Sequence, residues 1–324
     1  MEEYLEGMGL DISGQMETTL MGVLATYDSE YFEDRGTHPT TLLEDAQEYM
    51  EQMAEVLYHD PLQLDSISLL PGTDKDGSPE KFESLTIRTG EVMSIVGPTG
   101  SGKSRLLADI EWMARADTPT GRTLLVNGEE ARTEWRYSHC HKLVAQLSQN
   151  MNFVMDLSVE EFLHLHAESR LVDSPRKVID SIISEANQLA GEKFLPTTQI
   201  TSLSGGQSRA LMIADTAILS SSPIVLIDEI ENAGIDREKA LDLLLSKDKI
   251  VLMATHDPLL ALMGDYRMVI ANGGITKIIQ TDQAEKTVLK KIKRVDVVVQ
   301  KMRSLLRQGE TLDTFFDLEG DIYA

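Results

Sequence analysis

The sequence predicts an α/β fold built on a parallel sheet, and three observations carry that prediction. Between about residues 62 and 281, short β-rich runs alternate with helical patterns, the signature of helices laid on the faces of a sheet. The run Ile224-Val225-Leu226-Ile227 is four consecutive apolar β-formers, as a strand buried on both faces requires. Two of the apolar runs end in chemically dense turns: a glycine-rich loop follows Val96, and two carboxylates follow Ile227. Candidate strands are Glu91–Val96, Thr123–Val126, Lys142–Ala145, Ile224–Ile227, Ile250–Ala254 and Met268–Ala271. Between Leu157 and Leu195 the pattern turns helical for long enough to form an insert.

Both ends of the chain depart from that alternation. Residues 1–61 read as an acidic extension, with 15 acids and a single base, Arg35, in the first 60. To about Thr37 it has no firm period. Beyond His38-Pro39-Thr40, the residues Leu42, Leu43, Ala46, Tyr49, Met50, Met53, Val56 and Leu57 recur at helical spacing. Thr41 and Glu44 fit a capping box, and Pro61 follows the end. This helix packs on its own core or docks a partner. Residues 282–324 read as a basic helix and an acidic tail: 285–307 hold eight Lys or Arg against two acids, with an amphipathic pattern capped by Asp282 and Glu285 and ended by Gly309. Such a helix packs inside the protein, against the acidic N-terminal helix among other surfaces, or meets a membrane or an acidic partner.

Composition narrows the function classes. The 324 residues carry 53 Asp or Glu against 30 Lys or Arg, a net charge of −23, which repels nucleic-acid backbones. Cys140 is the only cysteine, so no intrachain disulfide forms and a reducing compartment suits the chain. The N-terminus has no basic-then-apolar leader pattern, and no apolar run approaches the ~20 residues that span a bilayer. The expectation is a soluble, cytoplasmic, acidic protein.

The chemistry sits in the alternating region. Gly97-Pro98-Thr99-Gly100-Ser101-Gly102-Lys103-Ser104 is a complete G-x-x-x-x-G-K-S loop between a strand ending at Val96 and a helix carrying Leu106, Leu107, Ile110 and Met113. Its glycines let backbone N–H groups curl around phosphate oxygens, with the helix N-terminus adding positive charge. Lys103 would reach the β- and γ-phosphates, and the Ser104 hydroxyl would ligate Mg²⁺. At the tip of Ile224–Ile227, Asp228 would hold the Mg²⁺ shell and Glu229 would orient and deprotonate an attacking water. Leu203-Ser204-Gly205-Gly206-Gln207 begins 21 residues before Ile224. Ser204 and Gln207 form a capping box that opens a helix through Ala217, and the two glycines leave its N-terminus bare for an anion.

With that last motif the sequence resembles the ATP-binding cassette (ABC) ATPases, whose signature reads LSGGQ. The resemblance covers about residues 62–281 and rests on five motifs in the family's order. It implies a P-loop NTPase of ABC type: a RecA-like parallel-sheet core, an antiparallel β part and a helical subdomain at about 150–203. In the family the signature helix, here at Ser204, Gly205, Gly206 and Gln207, meets the γ-phosphate held by the other subunit. Gln149 matches the Q-loop glutamine that joins the metal shell, with Gln146 as its rival. His256, in Ala254-Thr255-His256-Asp257, matches the switch histidine that contacts the γ-phosphate and steadies the water. Asp236 matches the D-loop aspartate. Two departures stand out. The D-loop Glu231-Asn232-Ala233-Gly234-Ile235-Asp236 lacks the common Ser-Ala-Leu-Asp wording. Leu64–Gly72, the region matched to the family's adenine-stacking aromatic, contains none and leaves Leu70 as an apolar platform.

The resemblance implies ATP and Mg²⁺ as cofactors and a head-to-tail pair with a second ABC subunit, in a homodimer or with another cassette. The work done is that of a membrane transporter's ATP-binding subunit, which would put the chain at the inner face of the membrane. The alternative is a soluble engine that remodels or reactivates a client protein complex. No direct nucleic-acid contact is expected. His139-Cys140-His141 offers too few ligands for a metal. His164 and His166, two apart on a helix, point away from each other.

Overall fold

A computed structural model describes residues 20–24, 26–28, 31–32, 37–57, 63–137, 142–148, 153–170, 172, 174–228 and 234–312. It divides into two compact units, residues 1–62 and 63–324. The first holds α1 (Leu20–Leu24) and α2 (Pro39–Leu57) around a small cluster of Leu24, Phe32 and Leu42, with Tyr27 and Tyr31 against it. The α2 start differs from the capping box expected at Thr41. Pro39, whose φ is already helical and whose missing N–H costs nothing in a first turn, begins the helix, so Thr41 lies inside it.

The second unit carries two sheets. Its elements in chain order are β1 (Ser66–Leu70), β2 (Leu85–Arg88), β3 (Val92–Val96), α3 (Lys103–Glu111), β4 (Thr123–Val126), β5 (Glu129–Glu130), α4 (Thr133–Tyr137) and β6 (Val144–Leu147). After them come α5 (Val159–Glu168), α6 (Pro175–Leu189), α7 (Gly205–Ile218), β7 (Ile224–Asp228), α8 (Arg237–Leu245), β8 (Ile250–Ala254), α9 (Pro258–Met263), β9 (Tyr266–Ala271), β10 (Gly274–Gln280) and α10 (Gln283–Arg307). The smaller sheet is antiparallel, in the order β2-β1-β4-β5. The larger runs β10-β9-β3-β8-β7-β6, with β9, β3, β8, β7 and β6 mutually parallel and β10 antiparallel on β9. The expected α/β architecture with an antiparallel part and a helical insert is present. One strand is displaced: the run expected at Lys142–Ala145 pairs as Val144–Leu147, because its register is set by Ile224–Ile227 across the ladder.

The strands β3, β7 and β8 are apolar on both faces, and all of β8 is buried. Helix α7 joins two cores. Ala210, Ile213 and Ala217 face the parallel sheet, while Leu211 and Ala214 face α5 and α6, where Leu163, Ile182 and Ala186 are fully buried. Each such Leu or Ile contributes roughly 1.5–3 kcal/mol of burial, so the helix the signature opens binds the insert to the sheet, with Leu189 at the end of α6 also in the sheet core.

The C-terminal helix α10 packs on the cassette. Leu289 and Ile292 lie against the core formed by β7, β8 and α8, and Val298 is buried. Its acids and bases are used as ties: Arg267 to Glu285 at 2.6 Å, Lys293 to Glu238, and Arg237 to Asp296 at 2.8 Å. Asp282 caps it, accepting from the Glu285 N–H at 2.8 Å. Among the described residues, no helix is long and apolar enough to cross a membrane.

Candidate nucleotide-binding site

The phosphate loop hangs from the C-terminal end of β3, a buried strand between β8 and β9. Two of its glycines are demanded by close approach. A Cβ on Gly97 would stand 2.4 Å from the Ile270 carbonyl oxygen, and one on Gly102 would stand 2.8 Å from the Gly273 Cα, at a φ of +112°. The loop closes on itself: the Ser101 N–H donates to the Pro98 carbonyl at 3.1 Å and the Gly273 N–H to the Ser101 carbonyl at 2.7 Å. Helix α3 begins at Lys103 with no side-chain cap, so its first N–H groups face the cradle. Lys103 folds over the loop and donates to the carbonyls of Gly97 (2.8 Å) and Pro98 (3.4 Å). The Ser101 hydroxyl is buried with no hydrogen-bond partner in the structure. A glycine-lined cradle, uncapped helix amides, a lysine and an orphaned hydroxyl fit a polyphosphate.

The strand order gathers the remaining groups at the same sheet edge. Asp228 is the last residue of β7, opposite Ala254 of β8. His256, exposed, follows β8 by two residues, and β8 lies directly beside β3. The phosphate loop, His256 and Asp228 therefore stand at the ends of three neighbouring strands, the edge where open α/β sheets bind ligands. Gln146 lies within β6 with its side chain exposed. Gln149 and Glu229, and Glu231, Asn232 and Ala233 of the D-loop, lie outside the described residues, as do His139, Cys140 and His141. Among the described residues, no cluster of three or more His, Cys, Asp or Glu is placed to hold a metal ion.

The signature forms as its spacing predicts. Ser204 is the N-cap of α7: its hydroxyl accepts the Gln207 N–H at 3.3 Å, and the Gln207 Oε1 accepts the Ser204 N–H at 2.8 Å. Gln207 also donates to the Glu192 carbonyl at 3.2 Å, which fixes the turn in front of the helix. Asp236 is likewise a cap, on α8, with its own N–H bonded to the Leu189 carbonyl at 2.9 Å. Ser204, Gly205, Gly206 and Asp236 open on a cavity of about 1240 Å³ whose far wall is α10, and no phosphate-loop residue lines it.

Three further features had no signal in the sequence. Arg122, wholly buried, bonds Glu80 through Nε (3.1 Å) and Nη2 (2.7 Å), Asp109 of α3 through Nη1 (2.9 Å), and the Gly273 carbonyl (2.7 Å). Burial alone would raise the Glu80 carboxyl. The Arg122 hydrogen bond, the N–H groups of Ile275 and Gly72 and the guanidinium charge outweigh it and hold Glu80 below the usual glutamate value. Leu70, the apolar platform expected for the base, ends β1 opposite Thr123. The residue that touches the phosphate loop is Lys75, five positions on, whose ammonium donates to the Gly100 carbonyl at 2.9 Å. Arg237, the first residue of α8, bonds both Asp257, next to His256, and Asp296 of α10. His166 of α5 bonds the buried Asp215 of α7 at 2.9 Å and accepts from Arg170 at 3.1 Å.

Comparison with known proteins agrees with this arrangement. The ABC transporter family model matches residues 82–232. An uncharacterized ABC transporter ATP-binding protein of Methanocaldococcus jannaschii is 50% identical over 251 residues, covering 78% of this chain and 96% of the relative. A cobalamin import ATP-binding protein of Halobacterium salinarum is 28% identical over 202 residues, 59% of this chain and 48% of that protein. Among solved structures, a dimeric bacterial ABC transporter cassette superposes with a TM-score of 0.52 at 24% identity over 67% of this chain and 99% of its own, a likeness of fold. Shared sequence over nearly the whole of a relative, and a phosphate loop and signature each folded as its residues dictate, make this chain a member of the ABC family and an ATPase of its type.

Proposed function

We propose that this chain is the ATP-binding subunit of a membrane transporter, working at the inner face of the membrane as half of a head-to-tail homodimer. The observation that supports the pairing is the separation of the signature from the chain's own phosphate loop: no loop residue lines the cavity on which Ser204, Gly205 and Gly206 open, so in this reading the nucleotide they meet is held by a second copy. The dimeric cassette among the structural neighbours and the transporter subunits among the relatives support the same reading. Exposed Val154, Met155 and Leu165 give the helical insert an apolar surface for a membrane subunit.

In this reading the N–H groups of Gly100 to Ser104 and the Lys103 ammonium hold the β- and γ-phosphates, and Ser104, Asp228 and Gln149 hold Mg²⁺. The metal supplies charge neutralisation on the phosphate oxygens. Glu229 takes the proton of the attacking water while His256 fixes that water and the terminal phosphate. Ser204 and the Gly205 and Gly206 amides, brought by the partner, bind the phosphate that hydrolysis releases, which ties closure to the bound nucleotide.

The test is ATP turnover and oligomeric state of the full chain with Glu229→Gln and Ser204→Arg. Glu229→Gln should bind ATP, lose turnover and accumulate as a dimer. Ser204→Arg should bind ATP as a monomer and not close. Turnover undiminished in Glu229→Gln, or ATP-driven dimerisation of Ser204→Arg, would overturn the site assignment. Recovery of the tagged chain with a polytopic membrane protein is the expected outcome in its native cells, and recovery with a soluble complex alone would overturn the transporter reading.

A further inference from the structure

The loop Gly72–Glu80, between β1 and β2, is built against the phosphate loop with more care than a connection needs. Glu80 anchors its far end in the buried Arg122–Asp109 network, and the Glu80 Oε2 accepts the Gly72 N–H at 2.9 Å, closing the loop on itself. The Thr73 N–H donates to the Thr120 carbonyl at 2.7 Å and the Lys75 N–H to the Asn272 carbonyl at 2.9 Å. The Lys75 stem then crosses Gly273: a Cβ there would stand 2.8 Å from the Lys75 Cγ, so the glycine is the notch through which this side chain passes. At the end of the stem the ammonium meets the Gly100 carbonyl. Two lysines, one opening α3 and one in the β1–β2 loop, thus converge on one loop, Lys103 at Gly97 and Pro98 and Lys75 at Gly100.

The charges around Lys75 leave its ammonium to that task. Asp74 turns its carboxylate inward onto the N–H groups of Asp76 and Ser78, both at 2.9 Å, and Asp76 accepts from the Asn272 amide at 2.7 Å. Among the described residues Lys75 is in no ion pair. In a chain of net charge −23, a polyphosphate approaches against the overall field, and local cations must provide the attraction. An exposed ammonium on a flexible stem, pinned at its base and ending at the lip of the loop, is suited to follow a phosphate oxygen.

We propose that Lys75 is a second nucleotide-binding lysine: its ammonium binds the polyphosphate of the nucleoside triphosphate from the antiparallel sheet, so that affinity is set by phosphate charge and only weakly by the base. The proposal rests on the ATPase reading of the same loop and adds a residue to it.

Equilibrium binding of ATP, ADP, AMP and GTP to the full chain tests it, in wild type, Lys75→Met, Lys75→Ala and Lys75→Arg, with a thermal melt of each. Lys75→Met keeps the stem across Gly273 and removes the charge. Both it and Lys75→Ala should weaken ATP binding about tenfold, the size of one charge-assisted hydrogen bond. The loss should be equal for GTP, smaller for ADP and slight for AMP, and Lys75→Arg should restore most of it. ATP affinity unchanged in Lys75→Met would assign the residue to loop packing and overturn the proposal. So would a loss as large for AMP as for ATP, or a loss for ATP without one for GTP, which is the mark of a base contact. Failure of wild type to bind any nucleotide would instead refute the ATPase reading, and Lys103→Ala serves as its control.

Discussion

Replacing Arg122 by Met keeps the length of the side chain and deletes its charge, and the structure sets what that costs. The Glu80 and Asp109 side chains are each 1% exposed and share this one guanidinium. Four hydrogen bonds disappear, three of them between full charges. Glu80 still accepts from the N–H groups of Ile275 and Gly72, and Asp109 from the Thr120 hydroxyl, so neither carboxylate is bare. Two buried anions without a cation nonetheless remain, and breaking such a pair costs about 3–5 kcal/mol at pH 7. The pH dependence separates this account from simple loss of packing. In wild type the Glu80 pKa is depressed, so its contribution is present above the unfolded-state value, near 4.3, and fades only as pH falls through the lower folded value. In Arg122→Met Glu80 loses the hydrogen bond and the charge that hold its carboxyl down, while burial still pushes it up, so it titrates higher than in wild type. Protonation of Glu80 then relieves the variant as pH falls, at about 1.4 kcal/mol per unit once it has taken up its proton. The gap between variant and wild type should therefore narrow as pH falls from about 7 towards about 4. Urea unfolding followed by tryptophan fluorescence reads it, with Trp112 placed at the end of α3, two residues past Ile110. A difference under about 1 kcal/mol at pH 7, or a gap that stays constant with pH, would refute the reasoning.

Four other substitutions probe three separate parts of the cassette. Gly102→Ala forces a Cβ into Gly273 at a left-handed φ; it should cost about 1–3 kcal/mol in urea and weaken ATP binding by at least about tenfold, and wild-type affinity would show the loop to be more compliant than its contacts. Ser204→Ala removes the α7 cap and should lower stability by about 1 kcal/mol, whereas an unchanged urea midpoint would mean that the capping box is not formed in solution. Arg237→Met leaves Asp257 and Asp296 without their shared guanidinium and should cost about 2 kcal/mol, while Asp296→Asn, on a side chain one-third exposed, should cost less than about 1; equal losses would place the whole effect in α10.

What could be read in advance followed from how local each feature is. The phosphate loop and the Ser204–Gln207 box are contiguous, and their backbone requirements are written in adjacent glycines and a three-residue spacing. The apolar run Ile224–Ile227 put Asp228 at a strand tip and the family resemblance picked out His256, but that the two stand at one sheet edge depends on the strand order. The Glu80–Asp109–Arg122 cluster was hidden because its members come from three separate segments and because charged residues are by default assigned to the surface. Lys75 was hidden for the opposite reason: a lysine in a polar turn is unremarked, and only the notch at Gly273 shows that the turn has a direction. The start of α2 and the two-residue shift of β6 were errors of boundary, settled by Pro39 in one case and by the register of β7 in the other.

Helix α10 bears on where this protein can be cut. Its sequence looks like an appendage, and a truncation after Thr281 would appear to spare every motif. Such a truncation would uncover the apolar patch under Leu289 and Ile292, strip Glu285 from Arg267 and leave Arg237 with Asp257 as its one remaining carboxylate among the described contacts. The guanidinium that heads α8 would then answer only to the segment carrying His256. Tags, fusions and domain swaps should therefore join beyond Arg307, and a shortened cassette that still turns over ATP should do so with α8 and the His256 segment coupled differently from those of the full chain.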